Sequence, residues 1–397
     1  MSELIRLYYG VITRILDLFI NAKPKSWVFG AAGGGSYSEG SKYMLEYMLK
    51  NHNDFECTFI TKNKKLYQEL KDKGLPCEYN YSIKGCIRIA RAGKFFTTHS
   101  NSDIFYDFRK KGRKNYYLVH GQPLKIAQLA LRKNATYWEN VEHKNSFVSA
   151  LRAIVHRCLI SDMQMKDFDF VSATSYFLKP YMEIDFDHMI PVKVLGMPRN
   201  DGLFDHERMQ KEKWIEGLDG KFVITYMPTH RLYGHGEVSP TPFINRPDVQ
   251  SWFKENNIVF LMKQHPNMIP KLKDNRETET IKDITKLGLD PQVVIYHSDV
   301  LITDFSSVWM DYLLLRRPNI FYIYDDFEHN DAGCHYDIRE DPPGHFCRNE
   351  DELYALIKQC RRDYVSMIPS DRIINKYHKF VDGNSCQRYF EEITNER

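Results

Sequence analysis

A chain of 397 residues with 43% apolar and 27% charged content is long enough for two domains and too apolar to be disordered. Its formal net charge of +3 leaves no electrostatic footprint for nucleic acid, and no run interleaves basic and aromatic residues as a single-strand platform requires. Cys57, Cys77, Cys86, Cys158, Cys334, Cys347, Cys360 and Cys386 include no CxxC pair, which argues against a disulfide scaffold and suits a reducing cytosol.

Residues Leu4 to Ile20 are mostly apolar, but Arg6, Gly10, Thr13, Arg14 and Asp17 recur at helical spacing and gather on one narrow polar face. The interruptions rule out a signal peptide and a spanning helix. Two readings stay open: an interfacial helix lying in the headgroup region, or a helix packed on its own domain. After it, Ser26 to Gly30 reads as a buried strand, Gly33-Gly34-Gly35 as the following loop and Tyr43 to Leu49 as a helix. Cys57 to Ile60, Lys94 to Thr98 and Asn115 to Val119 are further strands, with a charged helix from Lys62 to Lys73. Lys125 to Asp162 carries an apolar stripe beside Arg152, His156 and Arg157, which fits either a membrane-facing surface or an amphipathic helix turned to the core. The strand pattern then restarts at Pro191 to Leu195, Lys221 to Tyr226, Ile258 to Lys263, Val293 to Tyr296, Val300 to Thr303 and Asn319 to Tyr324. Strands alternating with helices predict two α/β domains with parallel sheets and a cleft between them.

Chemistry-bearing residues fall where these strands end, which is where ligands sit in parallel sheets. His120 follows an apolar strand and precedes Gly121; His265 follows another and precedes Pro266. Either alone is more often structural, but two strand-end histidines, one per domain, suit proton transfer across a shared cleft. Val300 to Thr303 runs into Asp304-Phe305-Ser306-Ser307, and Val308 to Leu315 reads as a helix, so the serines stand at a helix N-terminus suited to an anion. A serine that merely caps the helix explains the same pattern. Pro228-Thr229 and Pro198-Arg199-Asn200-Asp201 end other strands, and Arg199 can grip a phosphate with its planar fork. Cys334, His335, His345 and Cys347 invite a zinc reading, but their spacing matches no common structural site.

The set His120-Gly121-Gln122-Pro123-Leu124-Lys125, Pro198 to Asp201, Pro228-Thr229, His265-Pro266 and Leu301 to Ser307 resembles the CDP-glycerol glycerophosphotransferases, which include teichoic acid primases and polymerases and relatives that build capsules. The likeness runs on through Asp311, Arg317-Pro318 and Pro343-Gly344 to Asp382-Gly383, with an N-terminal echo at Tyr37 to Tyr43. Departures are Gln122 where the family usually has Thr, Phe305 where it has Tyr, and Glu39-Gly40 where Asp-Asn is common.

The resemblance implies a GT-B-like pair of Rossmann-like domains. Expected segments are an amphipathic helix over 1–22, an acceptor-side domain over 23–188, a donor-binding domain over 189–370, and a C-terminal helix over 371–397 that packs back on the first domain. It implies His120 as general base and His265 on the donor diphosphate. Gly121, Gln122, Pro123, Leu124, Arg199, Pro228, Thr229, Lys263, Gln264, Ser306, Ser307 and Asp311 are implied to bind substrate. The expected reaction moves a polyol phosphate from CDP-glycerol or CDP-ribitol to a lipid-linked or glycan acceptor and releases CMP, at the cytoplasmic face of the membrane. No cofactor is implied; a divalent metal stays open without being indicated, and Asp325-Asp326 reads either as its ligands or as plain surface acids. A nucleotide-sugar glycosyltransferase of the same architecture and an inactive membrane-associated scaffold are the competing expectations.

Overall fold

Two units, each built on one all-parallel sheet, organise the chain in this computed structural model. The structure describes residues 3–104, 112–126, 168–212, 214–229, 239–265, 269, 276–325 and 333–395. The amphipathic stretch expected within 125–162 therefore lies outside the described residues from position 127 onward. Unit 1 draws on Met1–His120, Gln128–Asp201 and Asp382–Arg397, and unit 2 on Gly121–Ala127 and Gly202–Val381.

In unit 1 the strands are β1 (Lys23–Phe29), β2 (Glu56–Thr61), β3 (Cys77–Tyr79), β4 (Ala92–Thr97), β5 (Lys114–Tyr117), β6 (Phe170–Ala173) and β7 (Val192–Val194), in the order β3-β2-β1-β4-β5-β6-β7. Unit 2 contains β8 (Phe222–Tyr226), β9 (Ile258–Met262), β10 (Ile281–Asp283), β11 (Val300–Thr303), β12 (Asn319–Tyr322) and β13 (His345–Cys347), in the order β10-β9-β8-β11-β12-β13. Both orders reverse direction once, between β1 and β4 and between β8 and β11. A parallel sheet opens a crevice at such a switch point, outside the carboxyl ends of its strands. All of β9, β11 and β12 is buried, which is why these strands read as unbroken apolar runs instead of alternating ones.

The expected α/β class with two parallel sheets is what the chain adopts. One element differs in kind. Val293 to Tyr296, expected as a strand, belongs to a helix over Pro291–Tyr296. Asp290 starts it by accepting from the Gln292 N–H at 3.1 Å, and Pro291 fits the first turn. Val293, Val294 and Ile295 are all buried, so the one-sided periodicity that would have identified a helix is missing. Four short strands, β3, β6, β10 and β13, escape the apolar-run reading because Glu78, Ser172, Lys282 and His345 interrupt them.

The N-terminal helix, Glu3–Phe19, packs on its own unit through one face. Thr13 is buried there, the Cys86 thiol reaches the Tyr9 carbonyl, and Asp17 pairs at 2.8 Å with the fully buried Arg113 side chain. The opposite face leaves Ile5, Tyr8, Val11, Ile15, Leu18 and Phe19 exposed. The reading of a helix packed on its own domain therefore describes its inward side, and its outward side is exposed and apolar.

Asp201 closes unit 1 from the far end of the chain. Its carboxylate accepts from the Ser385 N–H at 2.8 Å and the Cys386 N–H at 2.7 Å, two donors that the first turn of the helix Ser385–Asn395 cannot satisfy itself. The same helix stacks Phe390 on His52, with ring centroids 3.6 Å apart. Replacing Asp201 by Ala should cost about 1–2 kcal/mol, the usual range for losing such a cap. Thermal unfolding should register the loss, and limited proteolysis should cut sooner just ahead of residue 385; unchanged values in both would contradict the capping role.

Candidate functional site

At the switch point of unit 1 the exits of β1 and β4 are joined by Asp103, which is fully buried. One of its carboxylate oxygens accepts from the Gly33 N–H at 2.7 Å, in the loop after β1. The other accepts from the Thr98 N–H at 2.7 Å and the His99 N–H at 3.0 Å, just past β4. Gly34 makes this closeness feasible: its φ is +81°, and a Cβ there would stand 2.8 Å from the Asp103 carbonyl oxygen.

His120 stands beside this junction. Its Nδ1 lies 3.1 Å from the Thr98 carbonyl oxygen. A carbonyl only accepts, so the ring proton sits on Nδ1 and the lone pair on Nε2. Val119, immediately before it, has φ +46°, a left-handed conformation that costs a β-branched residue about 1–3 kcal/mol and that clusters at functional sites. The ring of His99 lies flat on that of His120, with centroids 4.1 Å apart and planes 7° apart. Arg199 donates from Nη1 to Glu39 Oε2 at 2.5 Å and to the His120 carbonyl at 2.6 Å. The His120 ring keeps an exposed edge, yet protein crowds it on its other sides. That desolvation, then His99 and to a smaller extent the Arg199 charge, push its pKa down to about 4, against the opposing pull of Glu39 and the Thr98 carbonyl. Water at the exposed edge offsets part of this. The direction is what matters: the base form is present at neutral pH.

Unit 2 repeats the arrangement at its own switch point. Asp304, at the exit of β11 and 1% exposed, accepts from both the Thr229 N–H at 2.8 Å and the Thr229 hydroxyl at 2.5 Å, at the exit of β8. The Thr303 hydroxyl donates to the Met227 carbonyl at 2.7 Å, so the two strand exits are joined twice. Beside them β9 ends in Lys263 and Gln264, both buried, and His265, which is exposed. Gln264 is fixed by Thr285, which accepts from its backbone N–H, and by the Ser239 carbonyl, which accepts from its amide. Gly121 lies against Ser307: a Cβ at position 121 would meet the Ser307 hydroxyl oxygen at 2.5 Å. Residues 123–126 are strapped to 333–336 by backbone bonds, including His335 N–H to the Leu124 carbonyl at 2.8 Å, and the Tyr336 hydroxyl donates to the Pro123 carbonyl at 3.1 Å.

The sequence-expected residues thus fall into two groups. His120 and Arg199 belong to unit 1; Gly121, Gln122, Pro123, Leu124, Pro228, Thr229, Lys263, Gln264, His265, Ser306, Ser307 and Asp311 belong to unit 2. The unit boundary passes between His120 and Gly121, inside a single motif. Ser307 precedes the helix Val308–Leu313 without a side-chain capping bond, so the capping explanation does not account for its hydroxyl. Asp311 is buried within that helix beside His378. Cys334, His335, His345 and Cys347 do not assemble a metal cluster: among the described residues no group of three or more His, Cys, Asp or Glu is placed to hold an ion. The Cys347 thiol instead lies 3.7 Å from the Phe321 carbonyl, and burial pushes its pKa up to about 12. Residues that sequence reasoning did not place in the site are Asp103, His99 and Glu39, the last noted only as a departure from the family pattern. Ser100 to Asp103 is a polar turn directly after a strand, the one signal that marks the first two.

A family model described as CDP-Glycerol:Poly(glycerophosphate) glycerophosphotransferase matches residues 12–395. The chain is 25% identical over 382 residues to a teichoic acid glycerol-phosphate transferase of Staphylococcus aureus, covering 92% of both chains. It is 23% identical over 385 residues to a teichoic acid poly(glycerol phosphate) polymerase of Bacillus subtilis, covering 94% of this chain and 49% of that one. In three dimensions it is similar to the wall teichoic acid polymerase TagF, with a TM-score of 0.72 at 21% identity over 98% of this chain and 93% of that chain. That likeness gives the fold class, GT-B-like.

Removing the Asp103 carboxylate orphans the Gly33, Thr98 and His99 N–H groups together. Asp103→Ala should therefore lower stability by about 1–3 kcal/mol or more in chemical denaturation, the cost of orphaning a buried donor such as the Thr98 N–H, with smaller losses at the less buried Gly33 and His99. Asp103→Asn, which keeps one carbonyl oxygen, should lose less. Equal stability of the two variants would show that the carboxylate does not hold these exits.

Proposed function

Because the chain belongs to the CDP-glycerol:poly(glycerophosphate) glycerophosphotransferase family, we propose that it transfers a polyol phosphate, glycerol phosphate foremost, from a CDP-linked donor to a hydroxyl of a lipid-linked or glycan acceptor. The observation that carries this reading is the tautomer of His120: Nδ1–H is held by the Thr98 carbonyl, and Nε2 offers its lone pair. The acceptor hydroxyl gives its proton to Nε2 as its oxygen bonds to the donor phosphorus bearing the polyol. The bond between that phosphorus and the diphosphate bridging oxygen breaks, and CMP departs with the electron pair. His265 is assigned to the donor diphosphate, with Thr229, Lys263, Ser306 and Ser307 at neighbouring strand ends of the same sheet. Phosphoryl transfer relies on positioning and charge stabilisation, which groups at the ends of a buried sheet are suited to supply.

His120→Ala should lower the rate of CMP release about 10²–10⁴-fold while leaving the KM for CDP-glycerol nearly unchanged. His265→Ala should raise that KM. The lowered pKa of His120 adds a sign: activity depends on the neutral ring and is lost as pH falls, with the acid limb lying below the ordinary histidine value of about 6.5. Wild-type turnover in His120→Ala, or release of UDP from UDP-sugars in place of CMP from CDP-glycerol or CDP-ribitol, would overturn the reading.

The same reading places the protein at the cytoplasmic face of the membrane, where a lipid-linked acceptor would be met. Among the described residues no helix is long and apolar enough to cross a membrane. The outward stripe of the helix Glu3–Phe19 suits lying on one instead: Ile5, Tyr8, Val11, Ile15, Leu18 and Phe19 recur at helical spacing and are exposed. Insertion of a leucine or phenylalanine side chain is worth about 1.5–3 kcal/mol. Leu18→Glu with Phe19→Glu should weaken flotation with phospholipid vesicles about tenfold or more, by the same scale. Equal flotation of variant and wild type would remove this surface from the proposal.

A further inference from the structure

The motifs assign nothing to His99, although among the described residues it is the ring that lies flat against the proposed base. A single hydrogen bond from Nδ1 to the Thr98 carbonyl fixes one corner of the His120 ring and leaves the ring free to swing about that bond. A parallel ring with its centroid 4.1 Å away removes the swing. His99 can act as that wall because it is itself pinned. Its backbone N–H donates to Asp103 at 3.0 Å, its carbonyl accepts from the Tyr117 hydroxyl at 3.0 Å, and its Nδ1 lies 2.9 Å from the Thr98 hydroxyl. Thr98 thus orients both rings, His120 through its carbonyl and His99 through its hydroxyl. We propose that His99 is a positioning residue for His120, presenting Nε2 of the base in one fixed plane. The inference rests on the reading of His120 as the base.

Charge leads to the same residue. The groups facing His120 are Glu39 at the start of its helix, Arg199 from the turn after β7, and His99 from the exit of β4; Asp103 in turn faces His99. Glu39 and Arg199 form an ion pair and act on the ring in opposite senses, Glu39 the more strongly. His99 remains as the neighbour whose own protonation matters. Two imidazoles in face-to-face contact do not charge together, so they titrate as a pair. The His99 pKa is itself lowered, mainly by burial, and a neutral His99 offers its π face to the imidazolium that forms on His120 as the acceptor loses its proton.

Two substitutions separate plane from charge. His99→Ala removes the wall and should lower kcat for CMP release about 10–100-fold, the scale of a small misplacement of a catalytic group, with KM for CDP-glycerol unchanged. His99→Phe keeps a flat ring without a titratable nitrogen and should lose far less kcat. In both variants the acid limb of kcat/KM should move to higher pH, because the like-charged neighbour is gone. The Cε1–H resonance of His120, followed by NMR against pH, should move the same way and needs no turnover. His99→Ala with wild-type kcat and an unmoved acid limb would overturn the proposal. So would equal losses in Ala and Phe accompanied by a raised KM and lowered thermal stability, which is the pattern of a merely structural residue. Should His120→Ala itself release CMP at the wild-type rate, the base assignment fails separately, and the NMR titration still reports whether the two rings are coupled.

Discussion

A buried carboxylate that ties together two strand exits is the constraint on which both halves of this protein depend. Asp103 does this between β1 and β4, and Asp304 does it between β8 and β11, in each case where the strand order reverses. A switch point opens because successive crossovers leave to opposite sides, and the backbone there has N–H groups with no ladder to join. A charged acceptor satisfies several of them at once and fixes the loops that carry the functional side chains. Charge-assisted bonds of this kind are roughly twice as strong as neutral ones, so the loops are held by chemistry and not by packing alone. The isolated carboxylate would be costly to bury; the surrounding N–H and hydroxyl donors compensate it.

What the first carboxylate holds in place is His120, the proposed base. Through the Thr98 and His99 N–H groups it sets the backbone whose carbonyl fixes the tautomer of His120. The left-handed φ of Val119 belongs to the same assembly: a valine tolerates that conformation only where its neighbours determine it. Arg199 adds a further clasp on the His120 carbonyl and answers to Glu39 across the helix start. In a reaction whose rate comes from placing an acceptor oxygen against a phosphorus, a base that cannot tilt is worth more than a strongly basic one. The depressed pKa of His120 has the same origin as the proposed rigidity, since burial and the neighbouring imidazole of His99 both lower it.

The strand exits were legible in the sequence, and their internal wiring was not. Apolar runs such as Ile258 to Met262 and Val300 to Thr303 are unmistakable because both faces of these sheets are covered. The polar residues that follow are the positions proposed to bind ligand. Asp304 stood inside a visible motif, yet its partner Thr229 lies far away in sequence, and only the parallel pairing of β8 with β11 brings them together. Asp103 and His99 sit in a turn that composition alone treats as a loop. Pro198 to Asp201 reads as one binding motif but divides its work: Arg199 turns to His120 and Asp201 to the last helix. The helix at Pro291–Tyr296 was misread because a short, wholly buried helix and a buried strand present the same apolar string, and the Asp-Pro start was the overlooked cue.

The first helix inverts the usual distribution, and the inversion has a physical lock. Its inward face holds Thr13 and Asp17, and its outward face holds a stripe of large apolar side chains. Rotation about its axis would bury the stripe and gain hydrophobic free energy, so something must oppose it. The opposing element is Arg113, whose side chain is fully buried and meets Asp17 at 2.8 Å while also donating to the Ala90 carbonyl at 2.5 Å. Rotating the helix would carry Asp17 away from a guanidinium that cannot follow it into water, and breaking a buried pair from one side costs about 3–5 kcal/mol. A buried ion pair seldom adds much net stability, but it selects one arrangement among several. Here it selects the one in which the apolar face points outward, leaving that stripe available to the membrane contact proposed above.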